Sequence, residues 1–235
     1  MYIVDDKYIN QTISNLVTSR LRQDILNGRF AAGKHITIKQ ISEDYKVSPM
    51  PVREAFNCLK GEKLIELEQY KGAVIKLLDE KSISDIYEVR ASIEELIMVN
   101  IAKKGMDEAM RGKLRVINES IDFSLPAEKI SSRFAEVNNI FHETLFVLCD
   151  NQYAKGVYQL YTNLLEALKR RYPVSIDRIN ASHVEHNQII DAIYSQRVDK
   201  IHDLAIAHAK GALEHMLSRM RLETEKSALL ADKIM

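Results

Sequence analysis

The chain has 235 residues, 46% hydrophobic and 28% charged, with 33 Lys/Arg balanced by 33 Asp/Glu. This composition excludes an intrinsically disordered chain, and zero net charge argues against a general nucleic-acid coat. Eight Gly and four Pro leave little room for a turn-rich strand architecture, so long helices, in one small and one medium domain, are expected.

Apolar residues at Ile13, Leu16, Val17, Leu21, Ile25 and Leu26 predict a helix over about 9–26, ended by Gly28 and Gly33. Thr37 and Gln40 have capping-box spacing at the start of a short helix in "TIKQISEDYKV". The next stretch, "VSPMPVREAF", carries prolines at 49 and 51. Proline is rejected by a helix interior and accepted in its first turn, so Ser48 is placed as N-cap and Pro49 as first helical residue. Val52, Ala55, Phe56 and Leu59 then form an apolar stripe, and Met50, Arg53, Asn57 and Lys60 fall on another face. Runs at 64–67 and 73–77 predict two strands joined by "EQYKG", with Gly72 suited to a positive φ. Three short helices followed by a hairpin are the layout of a winged helix-turn-helix, whose last helix enters a major groove and whose wing lies against the backbone or minor groove. Residues 1–78 carry 12 Lys/Arg against 9 Asp/Glu, an excess that suits an anionic partner for this part alone.

Through "LRQDILNGRFAAGKHI", "VSPMPVREAF" and "LIELEQYKGAVI", in that order and spacing, residues of about 10–77 resemble the DNA-binding domain of the GntR family of bacterial transcription regulators. The resemblance implies double-stranded operator DNA as partner. It implies that Lys39 and Arg53 reach DNA, and that Lys71 and Gly72 approach the groove edge at the wing tip. Arg53 is the candidate for base reading, because a guanidinium bonds a guanine edge at two points. Pro49 departs from the family pattern, where many members carry a DNA-touching arginine. Readout is therefore expected to rest more on Arg53 and on the apolar surface of Met50, with Ser48 bonding a phosphate or serving only as a cap.

Beyond Leu78 the pattern predicts an antiparallel all-α bundle, so the expected domains are 1–78 and 79–235. Its first helix has Ile86, Val89, Ile93, Leu96, Ile97 and Ile101 on its apolar side and ends at Gly105. Further helices are expected at about 107–125, 127–149, 152–172, 182–195 and 199–225, with Pro126 and Pro173 marking two breaks. Cys58 and Cys149 have no neighbouring cysteine, so two buried reduced thiols are expected. No apolar run approaches the roughly 18 residues that span a bilayer, and no cationic-then-apolar leader opens the sequence, so the expected place is the cytoplasm, with no membrane partner.

Asn138 and His142 stand one turn apart on the third of these helices, beside the core face of Phe134, Val137, Phe141, Leu145 and Leu148. His186 lies nine residues before Ser195 and His208 nine after Asp199, so in an antiparallel pair each stands about 13 Å from the same turn. Two inward imidazoles at one height, with His142 available, make a candidate three-nitrogen metal site. The alternative is that each is a neutral buried histidine bonded to a neighbour. Through "NNIFHETL", "EHNQIIDAI" and "DLAIAHA", residues 83–220 are similar to the helical effector-binding domain called FCD. In the metal-binding branch of that family an aspartate and three histidines hold a divalent ion. The resemblance carries this over to His142, His186 and His208, with Asn138 where the aspartate is expected. An amide oxygen brings no charge, so zinc, nickel or another nitrogen-preferring ion is favoured over calcium or magnesium, and a metal-free pocket is the other reading. Arg90 matches the family's pocket arginine and suits a small carboxylate effector; a surface ion pair with Glu94 is its alternative. The resulting expectation is a homodimeric regulator, most simply a repressor, whose operator binding is controlled by a small organic acid. A metal-responsive regulator and a metal-dependent hydrolase are the rivals; against the latter, Glu143 and Glu185 adjoin the histidines but are expected to project away from them.

Overall fold

The computed structural model describes residues 12–68, 71–76 and 78–232, with 227–232 described by their backbone alone. The chain forms two compact units, Met1–Asp79 with Leu160–Arg171, and Glu80–Gln159 with Tyr172–Met235. The first unit therefore takes in a helical segment from the C-terminal part of the sequence.

In the first unit the elements are α1 (Ile13–Leu26), β1 (His35–Ile36), α2 (Ile38–Tyr45), α3 (Pro49–Gly61), β2 (Ile65–Glu68) and β3 (Gly72–Ile75). Residues 9–11 of the expected first helix, Gln69 and Tyr70 of the wing turn, and Leu77 lie outside the described residues. The hydroxyls of Thr12 and Thr37 accept the N–H of Asn15 and Gln40, which starts α1 and α2 where side chains can satisfy the orphan donors. Val52, Ala55, Phe56 and Leu59 are buried along α3 as the spacing requires. The strands form an antiparallel sheet in the order β1-β3-β2, with Ile65 opposite Ile75 and Glu68 opposite Gly72. The two-residue β1 was not expected, since so short a strand carries no period. Arg22 on α1 donates to both oxygens of Glu62 at the end of α3, 2.6 Å each, and both side chains are buried. Within the segment Leu160–Arg171, Leu164, Leu165 and Leu168 are buried, and Arg171 donates to the Leu26 carbonyl at the end of α1. Cys58 is exposed, contrary to expectation: it falls on the outward side of α3, with its thiol 3.5 Å from Glu62.

The second unit is all helical among its described residues: α4 (Glu80–Lys104), α5 (Glu108–Asn118), α6 (Ala127–Cys149), α7 (Gln152–Arg171, of which the part to Gln159 belongs here), α8 (Ile176–Tyr194) and α9 (Val198–Asp232). α9 packs along α4 and α8, and α5 packs on α6 and α8. α5 ends seven residues short of the expected Leu125, because the Asp122 carboxylate accepts both the N–H and the hydroxyl of Ser124 and so favours a local turn over helix. α8 starts six residues earlier than expected, where Ser175, two residues after Pro173, caps the Arg178 N–H. On α4 the buried side runs through Ile83, Ile86, Tyr87, Arg90, Glu94, Ile97 and Ile101, whereas Val89 and Leu96 are exposed. The true stripe is rotated from the purely apolar one and carries Arg90 and Glu94 inward.

Candidate nucleic-acid interface and candidate metal centre

Lys39, Arg53, Lys71 and Gly72 line one cleft of about 890 Å³ in the first unit, together with residues of α2, α3 and both wing strands. Lys39, Ser48, Arg53 and Lys71 are exposed, and so is Met50, at 65%. Ser48 occupies the N-cap position but makes no capping bond with its side chain. The reason lies in the sequence. The side chains of Thr12, Thr37, Asp107, Asn151 and Ser175, each just before a helix, accept the N–H three residues on, and three residues after Ser48 stands Pro51, which has none. Gly72 has φ +119°, and a Cβ there would stand 2.2 Å from the Ile36 carbonyl oxygen. Close passage of β1 thus demands glycine at this position whatever lies outside the wing.

In the second unit His142, His186 and His208 come together, all buried, with one ring nitrogen of each within 4.8 Å of the others. The ring centroids of His186 and His208 are 4.8 Å apart, as equal distances from the α8–α9 turn predict, and His142 is 5.5 and 5.6 Å from them. His186 Nδ1 lies 3.0 Å from Asn118 Oδ1, and His186 Nε2 is buried with no hydrogen-bond partner among the described residues. Burial first, and the neighbouring His208 and His142 second, push His186 well below the usual histidine pKa and keep it neutral. His208 Nδ1 lies 2.7 Å from Glu185 Oε2, and Arg178 donates to both Glu185 oxygens at 2.6 Å. Burial pushes the Glu185 carboxyl up, but the bonds from Arg178 and His208 outweigh it and leave its pKa below the ordinary value. Glu185 therefore reaches the cluster, contrary to expectation. Asn138 is buried one turn from His142.

Arg90 and Glu94 pair at 3.3 Å, but inside the core rather than on the surface. The same Glu94 oxygen accepts the Tyr158 hydroxyl at 2.8 Å and lies 3.5 Å from His142 Nδ1, and Arg90 also bonds that hydroxyl. Of the remaining histidines, His202 and His35 are exposed, and His183 bonds Asn118 and Asn187. Sequence reasoning missed Asn118, Glu185, Arg178 and Tyr158; only Glu185, adjacent to His186, carried any local signal.

A trio of imidazoles suits zinc or nickel by donor type. A buried, lone-pair-bearing Nε2 with no donor opposite fits an ion rather than a closed hydrogen-bond network.

Residues 13–75 match the family described as bacterial regulatory proteins, gntR family, and residues 85–211 match the FCD domain. Among curated proteins, the chain is 28% identical over 176 residues to the gluconate operon transcriptional repressor of Bacillus subtilis, covering 74% of this chain and 70% of that one. It is 23% identical to the HTH-type transcriptional repressor GlaR of Escherichia coli, covering 84% and 93%. Among solved structures it is similar to Lar, described as controlling the Listeria monocytogenes agr system, with a TM-score of 0.60 and 16% identity over 90% of this chain and 98% of that one. It is also similar to E. coli McbR/YncC, with a TM-score of 0.56 and 13% identity over 92% and 99%.

Proposed function

Because the chain belongs to the GntR family of transcriptional regulators, with an FCD domain after its winged helix, we propose that it is a cytoplasmic homodimeric repressor whose grip on operator DNA is set by a small carboxylate bound beside a zinc or nickel ion. The observation that carries this reading is the buried convergence of His142, His186 and His208 next to Arg90.

Residues 1–78 bind the operator. Arg53 reads a base edge, Lys39 and Lys71 neutralise phosphates from either side of their shared cleft, and Met50 offers apolar contact. The Ser48 hydroxyl, denied an N3 donor by Pro51, is turned to a phosphate, beside the orphan N–H groups of Met50 and Val52. Gly72 brings the wing to the groove edge.

Residues 79–235 bind the effector and dimerise, which matches two heads to a palindromic site. His142, His186 and His208 would hold the ion, with Asn138 as a neutral fourth group, and a bound ion would supply Lewis acidity toward a carboxylate. Arg90 takes the effector's carboxylate, for which the effector competes with Glu94. The gluconate operon repressors among the relatives make a sugar acid the first effector to test. The domains and relatives are those of regulators rather than enzymes, so turnover is not part of the reading.

Elemental analysis of the purified chain, and operator selection from random duplexes with and without zinc and gluconate, test it. One equivalent of zinc or nickel per chain, and DNA affinity that shifts with acid only in the loaded protein, are expected. A metal-free chain whose DNA binding ignores a panel of organic acids would refute it.

A further inference from the structure

We propose that Asn118, Glu185 and Arg178 form a positioning shell that presets His186 and His208 as metal ligands before any ion arrives. This rests on the metal site proposed above.

Asn118 ends α5 and is buried. Its Nδ2 donates to the His183 carbonyl at 2.9 Å, which fixes the amide so that Oδ1 faces His186 Nδ1 at 3.0 Å. An amide oxygen can only accept. The proton of His186 is therefore on Nδ1 and its lone pair on Nε2, the buried atom with no donor opposite. The same logic holds for His208, from another helix. Its Nδ1 faces Glu185 at 2.7 Å, and a carboxylate whose two oxygens both receive Arg178 can only accept. His208 thus also turns Nε2 away from its partner. Arg178 donates further to the His208 carbonyl at 3.4 Å, and it lies where a side chain at Gly211 of α9 would stand 3.1 Å from the guanidinium. Glycine at that point leaves the guanidinium its seat.

Two imidazoles on α8 and α9 are thereby locked by groups from α5 and α8 into the one tautomer that can ligate through Nε2. A closed network of ordinary buried histidines would use both nitrogens of each ring. Here the shell satisfies Nδ1 of both rings, His186 Nε2 is left buried with no partner among the described residues, and one nitrogen of each of the three rings lies within 4.8 Å of the others.

Long-range ¹H–¹⁵N spectra of the metal-free full-length chain at neutral pH read the tautomers directly. Both His186 and His208 are expected protonated on Nδ1, and Nε2 protonation of either ring would overturn the proposal. Competition against a chromophoric chelator gives the zinc affinity. Asn118→Ala and Glu185→Ala are each expected to weaken it about 10–100-fold, while Asn118→Asp, which keeps an acceptor toward His186 but loses the donor to the His183 carbonyl, is expected to bind more tightly than Asn118→Ala. Circular dichroism checks that each variant folds, and the spectra remain decisive if the alanine variants do not. Wild type that takes up zinc while both folded alanine variants match it overturns the shell alone. Wild type that takes up neither zinc nor nickel overturns the metal site beneath it.

Discussion

Two buried arginine–glutamate pairs, Arg22–Glu62 in the first unit and Arg90–Glu94 in the second, are built on different plans. Arg22 donates from two nitrogens to two oxygens, 2.6 Å each, and joins α1 to α3 across 40 residues of sequence. Both carboxylate oxygens take the guanidinium fork, which ties two helices together. Arg90 meets Glu94 one turn away by a single 3.3 Å contact, on an oxygen shared with Tyr158 and close to His142. A carboxylate divided among three unlike groups is held less firmly by any one of them, which is why the proposed effector is expected to displace it. Burial and charge are alike in the two pairs; the two-point fork separates a tie from the contact proposed to open to an effector.

The largest expected effect is at the tie. Glu62→Ala leaves Arg22 buried without its counter-charge and should cost about 3–5 kcal/mol in urea denaturation, with no recovery on adding acetate. Glu94→Ala should cost less, because the Tyr158 hydroxyl still receives Arg90, and acetate should restore part of the loss. At five times its dissociation constant acetate returns about 1 kcal/mol, or about 2–4 °C in melting temperature for a domain of this size. Equal rescue of both variants, or of neither, would break the distinction between tie and site.

The first unit was legible because its signals are local. Thr37 with Gln40, Pro49 after Ser48, and Gly72 at the wing each report on the few residues around them; α2 and α3 start where they were placed, and the strands lie within one or two residues of the expected bounds. The second unit was legible only in part. His186 and His208 could be matched because both are measured from one turn, so distance along two helices substituted for contact. Asn118 and Tyr158 reach the site from α5 and α7, 68 residues from the side chains they meet, and no period or cap encodes such a meeting. The Arg90–Glu94 spacing was visible, but its burial was not. Polar residues in a helical pattern read as a solvated face, and only the rotated stripe through Ile83, Ile86 and Ile97 turns them inward.

A pH series sharpens the contrast from the side of the histidines. His186 is held neutral by burial, with its folded pKa below the unfolded value of about 6.5. Between those two values the unfolded chain binds a proton that the folded chain does not, so stability is fully present above about pH 6.5 and is lost as pH falls. The slope is at most about 1.4 kcal/mol per pH unit for one such group, and His215, also depressed chiefly by burial, acts in the same direction. Denaturation of the metal-free protein at pH 7.5 and 5.5 measures it. A flat profile would mean that the interior accommodates the imidazolium, and that the cluster is wetter than its burial implies.

The smallest expected effect on stability is at the surface proposed to face DNA, whose Arg53 and Lys39 belong to neither pair. Arg53 and Lys39 are exposed, and the Lys39–Glu43 contact is a 4.0 Å surface pair of the kind worth little. Arg53→Ala and Lys39→Ala should therefore leave the melting curve within about 0.5 kcal/mol of wild type, yet differ in what they do to DNA. Loss of a base-reading guanidinium should relax discrimination at one operator position by about 1–3 kcal/mol. Loss of a phosphate contact should weaken all duplexes alike and lower the salt slope by about one. If Arg53→Ala instead weakened operator and random duplexes equally, the cleft would be reading charge alone, and specificity would have to come from Met50, the wing, or the shape of the DNA.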